Sequence, residues 1–277
     1  MNNDVRNSLI VIAAVVIVIA GGWVFISSSS GVNPPFTVIE SHSMQHDTQS
    51  EIGVIDTGDL ILVKSPDKCD IVSYVEGTQN GYQSFGDYGN VIVYKRDTGN
   101  PVIHRAFLWL EYNGDGTWSA PSLENYSKLW TCSETSDWNH LEGTLTFYEV
   151  GNVVKNKVDG VEVVGKTLSI NLSTLEKKSG YLTVGDSVSN TYFDQASSIT
   201  HSLASKDNIK SVAWKEIPWL GSIKLMLNGH TSELNTWAAN SKTILIELVA
   251  TIIIAILAIG CIIDELGYIR EKRKPSS

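Results

Sequence analysis

The sequence predicts a mainly β extramembrane domain with an inserted small β lobe, flanked by N- and C-terminal transmembrane helices. Two charge-poor runs frame the chain: residues 9–26 carry no charge, and residues 244–263 carry only Glu247. Between them lie short β-branched or aromatic segments bounded by Gly, Asp, Pro and Asn, the composition of strands and turns. Within that stretch, residues 112–178 turn polar, with Trp118, Trp130 and Trp138 interspersed, before strand-like runs resume.

At 1.5 Å rise per residue, each apolar run reaches about 27–30 Å, roughly one hydrocarbon core. The first follows Arg6 and exits through Ser27–Ser30. It reads as a retained helix or as a cleavable signal core, because small residues follow it. The second is followed by Arg270, Lys272, Arg273 and Lys274, against Lys242 alone in the near flank before it. The positive-inside bias puts both termini in the cytosol. The expected location is a cell membrane crossed twice, with the domain on the extracytoplasmic side. Glu247 sits one turn into the second span, where a carboxylate can snorkel to the interface.

The expected organisation is a cytosolic N-terminus at 1–8 and a span at 9–26. The first part of the β domain follows at 27–111, the insertion lobe at 112–178, and the second part with a membrane-proximal segment at 179–242. A second span at 243–263 and a basic cytosolic tail at 264–277 complete the chain. Strands are expected at 36–40, 60–64, 71–75, 91–95 and 102–110, and in the lobe at 145–150, 161–164 and 167–172. Asp56-Thr-Gly-Asp59 and Asp97-Thr-Gly-Asn-Pro101 are turn chemistry, and Asn113-Gly-Asp-Gly116 marks a hairpin. Asn125-Tyr-Ser and Asn171-Leu-Ser fit the N-glycosylation pattern and agree with an external location. The segment 217–227 is apolar for a surface, with Trp214, Trp219 and Trp237 around it. It reads equally as an interfacial segment or as a core strand.

The net charge of −9 argues against a nucleic-acid partner. Of three cysteines, Cys261 lies in the second apolar run, which leaves Cys69 and Cys132 able to pair in an oxidising compartment. No CxxC or His/Cys cluster has metal-site spacing, and His42 and His46 lack a nearby third ligand. No metal or cofactor is expected.

The candidate chemistry centres on Ser43, which follows a strand-like run just beyond the first apolar segment. A neutral serine hydroxyl needs a base to take its proton. His104 is the candidate base. His46 is nearer in sequence, but a side chain three residues away rarely turns back onto its neighbour. Asp186 and Asp194 are candidate acids, since a carboxylate at the far ring nitrogen fixes the tautomer and stabilises the imidazolium. Spacing alone also allows plainer roles: a structural strand histidine and two turn-forming aspartates.

The ordered set Ser41-His42-Ser43-Met44, Gly58-Asp59-Leu60-Ile61, Asp70-Ile71-Val72-Ser73-Tyr74, Ile103-His104-Arg105 and Gly185-Asp186 to Asp194-Gln195 resembles type I signal peptidases. It is most similar to the archaeal and endoplasmic-reticulum branch, which uses Ser-His-Asp, and 217–225 also looks like the archaeal members. The resemblance implies a signal-peptidase-type β-fold and a serine endopeptidase that removes signal peptides. Ser43 would be the acylated nucleophile and His104 the general base and then acid. Asp194 would be the orienting acid, with Asp186 supporting the site or competing for that role. The Ser43 N–H, helped by the Ser41 hydroxyl, would form the oxyanion hole. Phe36, Thr37, Val38 and Ile39 would give the strand edge along which substrate lies extended, with Met44 in the substrate-binding set and shallow pockets for small residues at −1 and −3. The implied partners are signal-peptide-bearing precursors, the lipid bilayer, and translocation machinery or accessory subunits.

The chain departs from the family pattern in four places. His46 stands where proline is usual, extra residues precede Gly58-Asp59, the Asp186–Asp194 gap is longer, and 112–178 is inserted. Two other readings follow: a non-catalytic anchored surface binding protein on the same fold, and a dedicated processing peptidase for a narrow set of surface proteins.

Overall fold

The computed structural model describes residues 3–97, 99–151, 157–158, 161–162 and 165–272. A long helix α1 (Asn3–Ser30) leads into strands β1 (Phe36–Val38) and β2 (Leu60–Lys64), helix α2 (Tyr74–Asn80), and strands β3 (Gln83–Ser84), β4 (Asp87–Tyr88), β5 (Val91–Tyr94) and β6 (Val102–Tyr112). Then come β7 (Trp118–Ser119), β8 (Trp130–Cys132), β9 (Thr144–Val150), β10 (Lys157–Val158), β11 (Val161–Glu162), β12 (Lys166–Asn171), β13 (Gly180–Val184) and β14 (Ile209–Ile217). Helices α3 (Ser222–Leu227), α4 (Thr231–Trp237) and α5 (Ser241–Lys272) close the chain.

The chain as a whole is mixed rather than mainly β, because α1 and α5 contribute 28 and 32 helical residues. Both contain stretches long and apolar enough to cross a membrane, at Ile12–Ser30 and Ser241–Ile262. Each is shifted by a few residues from the charge-poor runs, since the helices continue through Ser27–Ser30 and back to Ser241.

Between the helices, an antiparallel sheet runs β1-β2-β14-β5-β6-β13, with β7 pairing β6. The β6–β7 turn is the Asn113–Gly116 hairpin, pairing Tyr112 with Trp118. A second antiparallel sheet, β12-β9-β8, is built by the insertion. It does not have a core of its own. Leu145, Phe147 and Leu168 from the insertion pack in one buried cluster with Phe107, Leu110, Leu182 and Phe193 from the main domain. The Phe107 ring meets Phe147 at 4.9 Å and Phe193 at 5.0 Å. The expected 161–164 strand is seen as β11; residues 163–164 lie outside the described residues, as do parts of both termini.

The expected strand at 71–75 is not formed. Ser73 accepts from the Glu76 N–H while the Glu76 carboxylate accepts from the Ser73 N–H at 2.8 Å, a capping box that starts α2 at Tyr74. Gly81 ends that helix in the left-handed conformation, at φ 78°. The reciprocal cap satisfies two helix-end donors, which outweighs the β preference of Ile71, Val72 and Val75. The 217–227 segment is not a core strand either. Beyond Ile217 the chain turns at Trp219 and forms α3, leaving Leu220, Ile223 and Leu227 exposed. Cys69 and Cys132 are free thiols, each donating to a nearby carbonyl, at Ser65 and Glu142.

The first apolar helix is tied to the sheet. Lys68 donates to the Ser28 carbonyl at 2.5 Å and the Ser30 hydroxyl to the Val63 carbonyl at 2.7 Å. A basic side chain on the last-turn carbonyls is favoured by the helix dipole.

Candidate active site

Ser43 sits in the turn that follows β1, and two anchors fix it. Below, the Met44 side chain is 1% exposed and packs with Ile39, Ile55, Ile61 and Val91. Behind, the Ser43 carbonyl accepts from the Ser187 N–H at 3.0 Å and from the Asn190 amide at 2.6 Å. With its neighbour buried and its carbonyl held, Ser43 projects its hydroxyl toward β6.

His104 lies on β6 opposite Ile92 of β5 and is buried. With Nδ1 protonated, its Nε2 accepts from Ser43 Oγ at 2.8 Å. Nδ1 donates to the Asp194 carboxylate, 2.8 Å from Oδ1 and 2.7 Å from Oδ2. Asp194 opens a short 3-10 turn (Asp194–Ala196) after β13 and is 2% exposed. The Tyr94 hydroxyl and the Thr183 hydroxyl each donate to its Oδ2 at 2.6 Å. Burial, then the neighbouring Asp194 charge, pushes the Tyr94 phenol far up, so Tyr94 is a fixed donor there. Three donors converge on one carboxylate, which leaves it aimed at the imidazole as an acceptor.

Asp186 stands in another network. Arg105 Nε donates to its Oδ1 at 2.8 Å, Arg105 Nη2 closes on Oδ2, and His46 Nε2 lies 3.7 Å away. Burial alone would raise the Asp186 carboxyl, but the Arg105 guanidinium beside it holds it well below the usual carboxylate range. Arg105 also donates to the carbonyls of Ser84, Tyr88 and Gly89 at 2.9–3.1 Å. Thus Asp194 takes the orienting position, Asp186 braces the strand beside it, and His46 faces Asp186 rather than Ser43.

Gly185 fills the angle between these parts. A Cβ there would run into the Ser43 carbonyl and the Asn190 amide and lie 3.0 Å from His104 Nε2. Lys166, from β12, donates to the carbonyls of Gly185, Asp186 and Ser187. Burial pulls its ammonium down to about 8, against the opposing pull of Asp186 and Asp87.

The hydroxyl of Ser41 lies 3.3 Å from Ser43 Oγ. Among the described residues nothing accepts from the Ser43 N–H, which leaves that donor open beside the Ser43 hydroxyl. A groove of about 610 Å³ opens here, between Thr37, Val38 and Ile39 on one side and Val93, Val102 and Ile103 on the other. Among the described residues β1 pairs only with β2, so its other edge is open to an extended chain. Ile199, Arg96 and Lys224 also line it. Phe36 and Met44 do not. The Phe36 ring packs on Trp23 of α1 at 5.8 Å, and Met44 is committed to the core.

The loop after Ser43 is anchored by acids. Asp59 accepts from the N–H groups of Asp56 and Trp219 at 2.8 and 2.9 Å, and Glu216 accepts from the Gly53 N–H. Burial pushes Asp59 up to about 8, Glu216 to about 7 and Asp56 to about 6.

The sequence singled out Ser43, His104 and both aspartates, and the fold brings the first two onto Asp194. It gave no sign of Tyr94, Thr183, Asn190 or Lys166, whose roles depend on strands distant in the chain. Fold and site together define a class: an antiparallel β domain with a buried Ser-His-Asp relay opening on a free strand edge. No protein-family model, curated protein or solved structure matches this chain.

Proposed function

We propose that this protein is a membrane-anchored serine endopeptidase of the signal peptidase type, acting on precursors held in the same bilayer. The observation that carries the reading is the continuous relay from Ser43 Oγ through His104 to Asp194, at 2.8 and 2.7 Å. In the reaction, His104 Nε2 takes the Ser43 proton as Oγ attacks the scissile carbonyl. Asp194 stabilises the imidazolium and the Ser43 N–H binds the oxyanion. His104 then protonates the leaving amine, and later activates the water that releases the acyl group. The signal-peptidase-type β-fold and the substrate's small residues at −1 and −3 come from the motif resemblance. The free β1 edge gives such a substrate a place to lie extended.

The two apolar helices support a two-span anchor with the domain outside and both termini in the cytosol, the tail charges setting the orientation. Confining enzyme and precursor to one plane supplies proximity. A binding module would have no need of a buried acid behind the histidine, which favours hydrolysis over the non-catalytic reading. The test is cleavage of a membrane-spanning precursor peptide, with alanine at −1 and −3, by full-length protein in vesicles. Ser43→Ala and His104→Ala should each lower kcat by roughly 10⁶-fold without loss of fold. Undiminished cleavage by Ser43→Ala would end the serine-peptidase reading, and retained activity in His104→Lys would replace the histidine chemistry with an amine base.

A further inference from the structure

The insertion brings one side chain up behind the nucleophile. Lys166, the first residue of β12, places Nζ 3.2, 2.9 and 2.6 Å from the carbonyl oxygens of Gly185, Asp186 and Ser187. An ammonium has three N–H donors, and three successive carbonyls take all of them. The turn so gathered is the one that grips Ser43, since Ser187 N–H and the Asn190 amide both donate to the Ser43 carbonyl. It also carries Gly185, packed so closely on Ser43 and His104 that no Cβ fits. Any opening of the turn therefore moves the nucleophile relative to its base.

Resting on the peptidase reading, we infer that Lys166 is a positioning residue: it clamps the 185–187 turn and through it sets Ser43 against His104. The three carbonyls converge beside the Asp186 carboxylate, so their oxygens repel one another unless a cation with several donors sits among them. A guanidinium is planar and forked, and does not present three donors from one point as an ammonium does. The lysine belongs to a sheet that shares its core with the main domain, so the clamp has a rigid base. This gives the insertion a function at the site: it supplies the third wall of the nucleophile's cradle. The same lysine lines a cavity of about 340 Å³ with Gly185 and Asp186, through which a small amine can reach the carbonyls once the side chain is cut back.

The experiment uses the full-length protein in vesicles and the precursor peptide described above. Lys166→Ala should lower kcat by roughly 10²-fold, the scale for a misplaced reacting group, with KM within about two-fold because the β1 groove is untouched. Added n-propylammonium should restore a saturable part of kcat. Tetramethylammonium, with the same charge and no N–H donors, should restore none. Lys166→Met, which keeps the side-chain volume, covers the case in which the alanine variant does not fold; it should melt like wild type and show the same loss of kcat. A fully active Lys166→Met, or equal rescue by the two cations, overturns the clamp and leaves the peptidase reading standing. A wild-type protein no more active than Ser43→Ala overturns the peptidase reading and the clamp with it.

Discussion

The two aspartates of the 186–194 segment carry their charge in different ways. Asp194 is held by two hydroxyls and an imidazole, whereas Asp186 is paired to a fully buried guanidinium. Replacement should therefore separate their roles. Asp194→Asn keeps the shape but stabilises the wrong histidine tautomer, so kcat should fall by about 10⁴-fold with little change in melting temperature. Asp186→Asn leaves Arg105 buried without its counter-charge and should cost about 3–5 kcal/mol of stability, read as a lower denaturation midpoint. Equal effects of both variants on kcat and on stability would contradict this division. Gly185→Ala should behave differently again, with cleavage lost because a Cβ displaces the Ser43 carbonyl or the His104 ring. The candidate aspartates were legible as residues from their motif. The choice between them was not, because it rests on where Tyr94, Thr183 and Arg105 meet them across the sheet, which no spacing along the chain shows.

Among the elements, α2 illustrates how a local signal can be outvoted on paper and win in space. Ser73 and Glu76 carry the capping-box spacing, while the β-branched residues around them argue for a strand. Ser73→Ala should cost about 1 kcal/mol, seen as a lower melting temperature with kcat unchanged, since α2 meets β6 at Phe107 rather than through a hydrogen bond to the relay. The insertion has the opposite lesson. Its strands were visible as β-rich runs, but their alternation could not reveal that Phe147 and Leu168 would bury against Phe107 and Leu182 of the main domain. The pattern within a strand says which face is buried, not what covers it.

For the whole molecule, two buried acids and the half-buried Glu216 set a pH dependence of stability. Asp56, Asp59 and Glu216 are raised above their ordinary values of 3.8, 3.8 and 4.5, to about 6, 8 and 7. The folded state therefore binds their protons more tightly than the unfolded chain does. Their contribution is full below about pH 4 and is lost as pH rises through about 6–8. Asp186 is depressed, so its contribution is present above its ordinary value and lost only as pH falls through its lowered pKa. The melting temperature should fall between pH 5 and pH 9, and Asp59→Asn should flatten that fall. A wild-type melting profile that is level from pH 5 to pH 9 would refute the assignment.

The sequence by itself determined the two apolar helices, the positions of β1, β2, β5, β6, β9 and β12, the Asn113–Gly116 hairpin, and the serine and histidine of the relay; β13 and β14, both in the main sheet, went unread. The helices, strands and hairpin rest on composition, period and short-range turn chemistry, which act within a few residues of chain, whereas the serine and histidine rest on the motif resemblance. Only the tertiary structure decided that Asp194 rather than Asp186 faces His104, that Met44 is buried in the core, and that Lys166 reaches the turn that holds Ser43. Those contacts depend on β-pairings between separate strands, β6 with β13, β2 with β14 and β9 with β12. Long-range pairing fixes which side chains meet, and no local pattern along the chain encodes it.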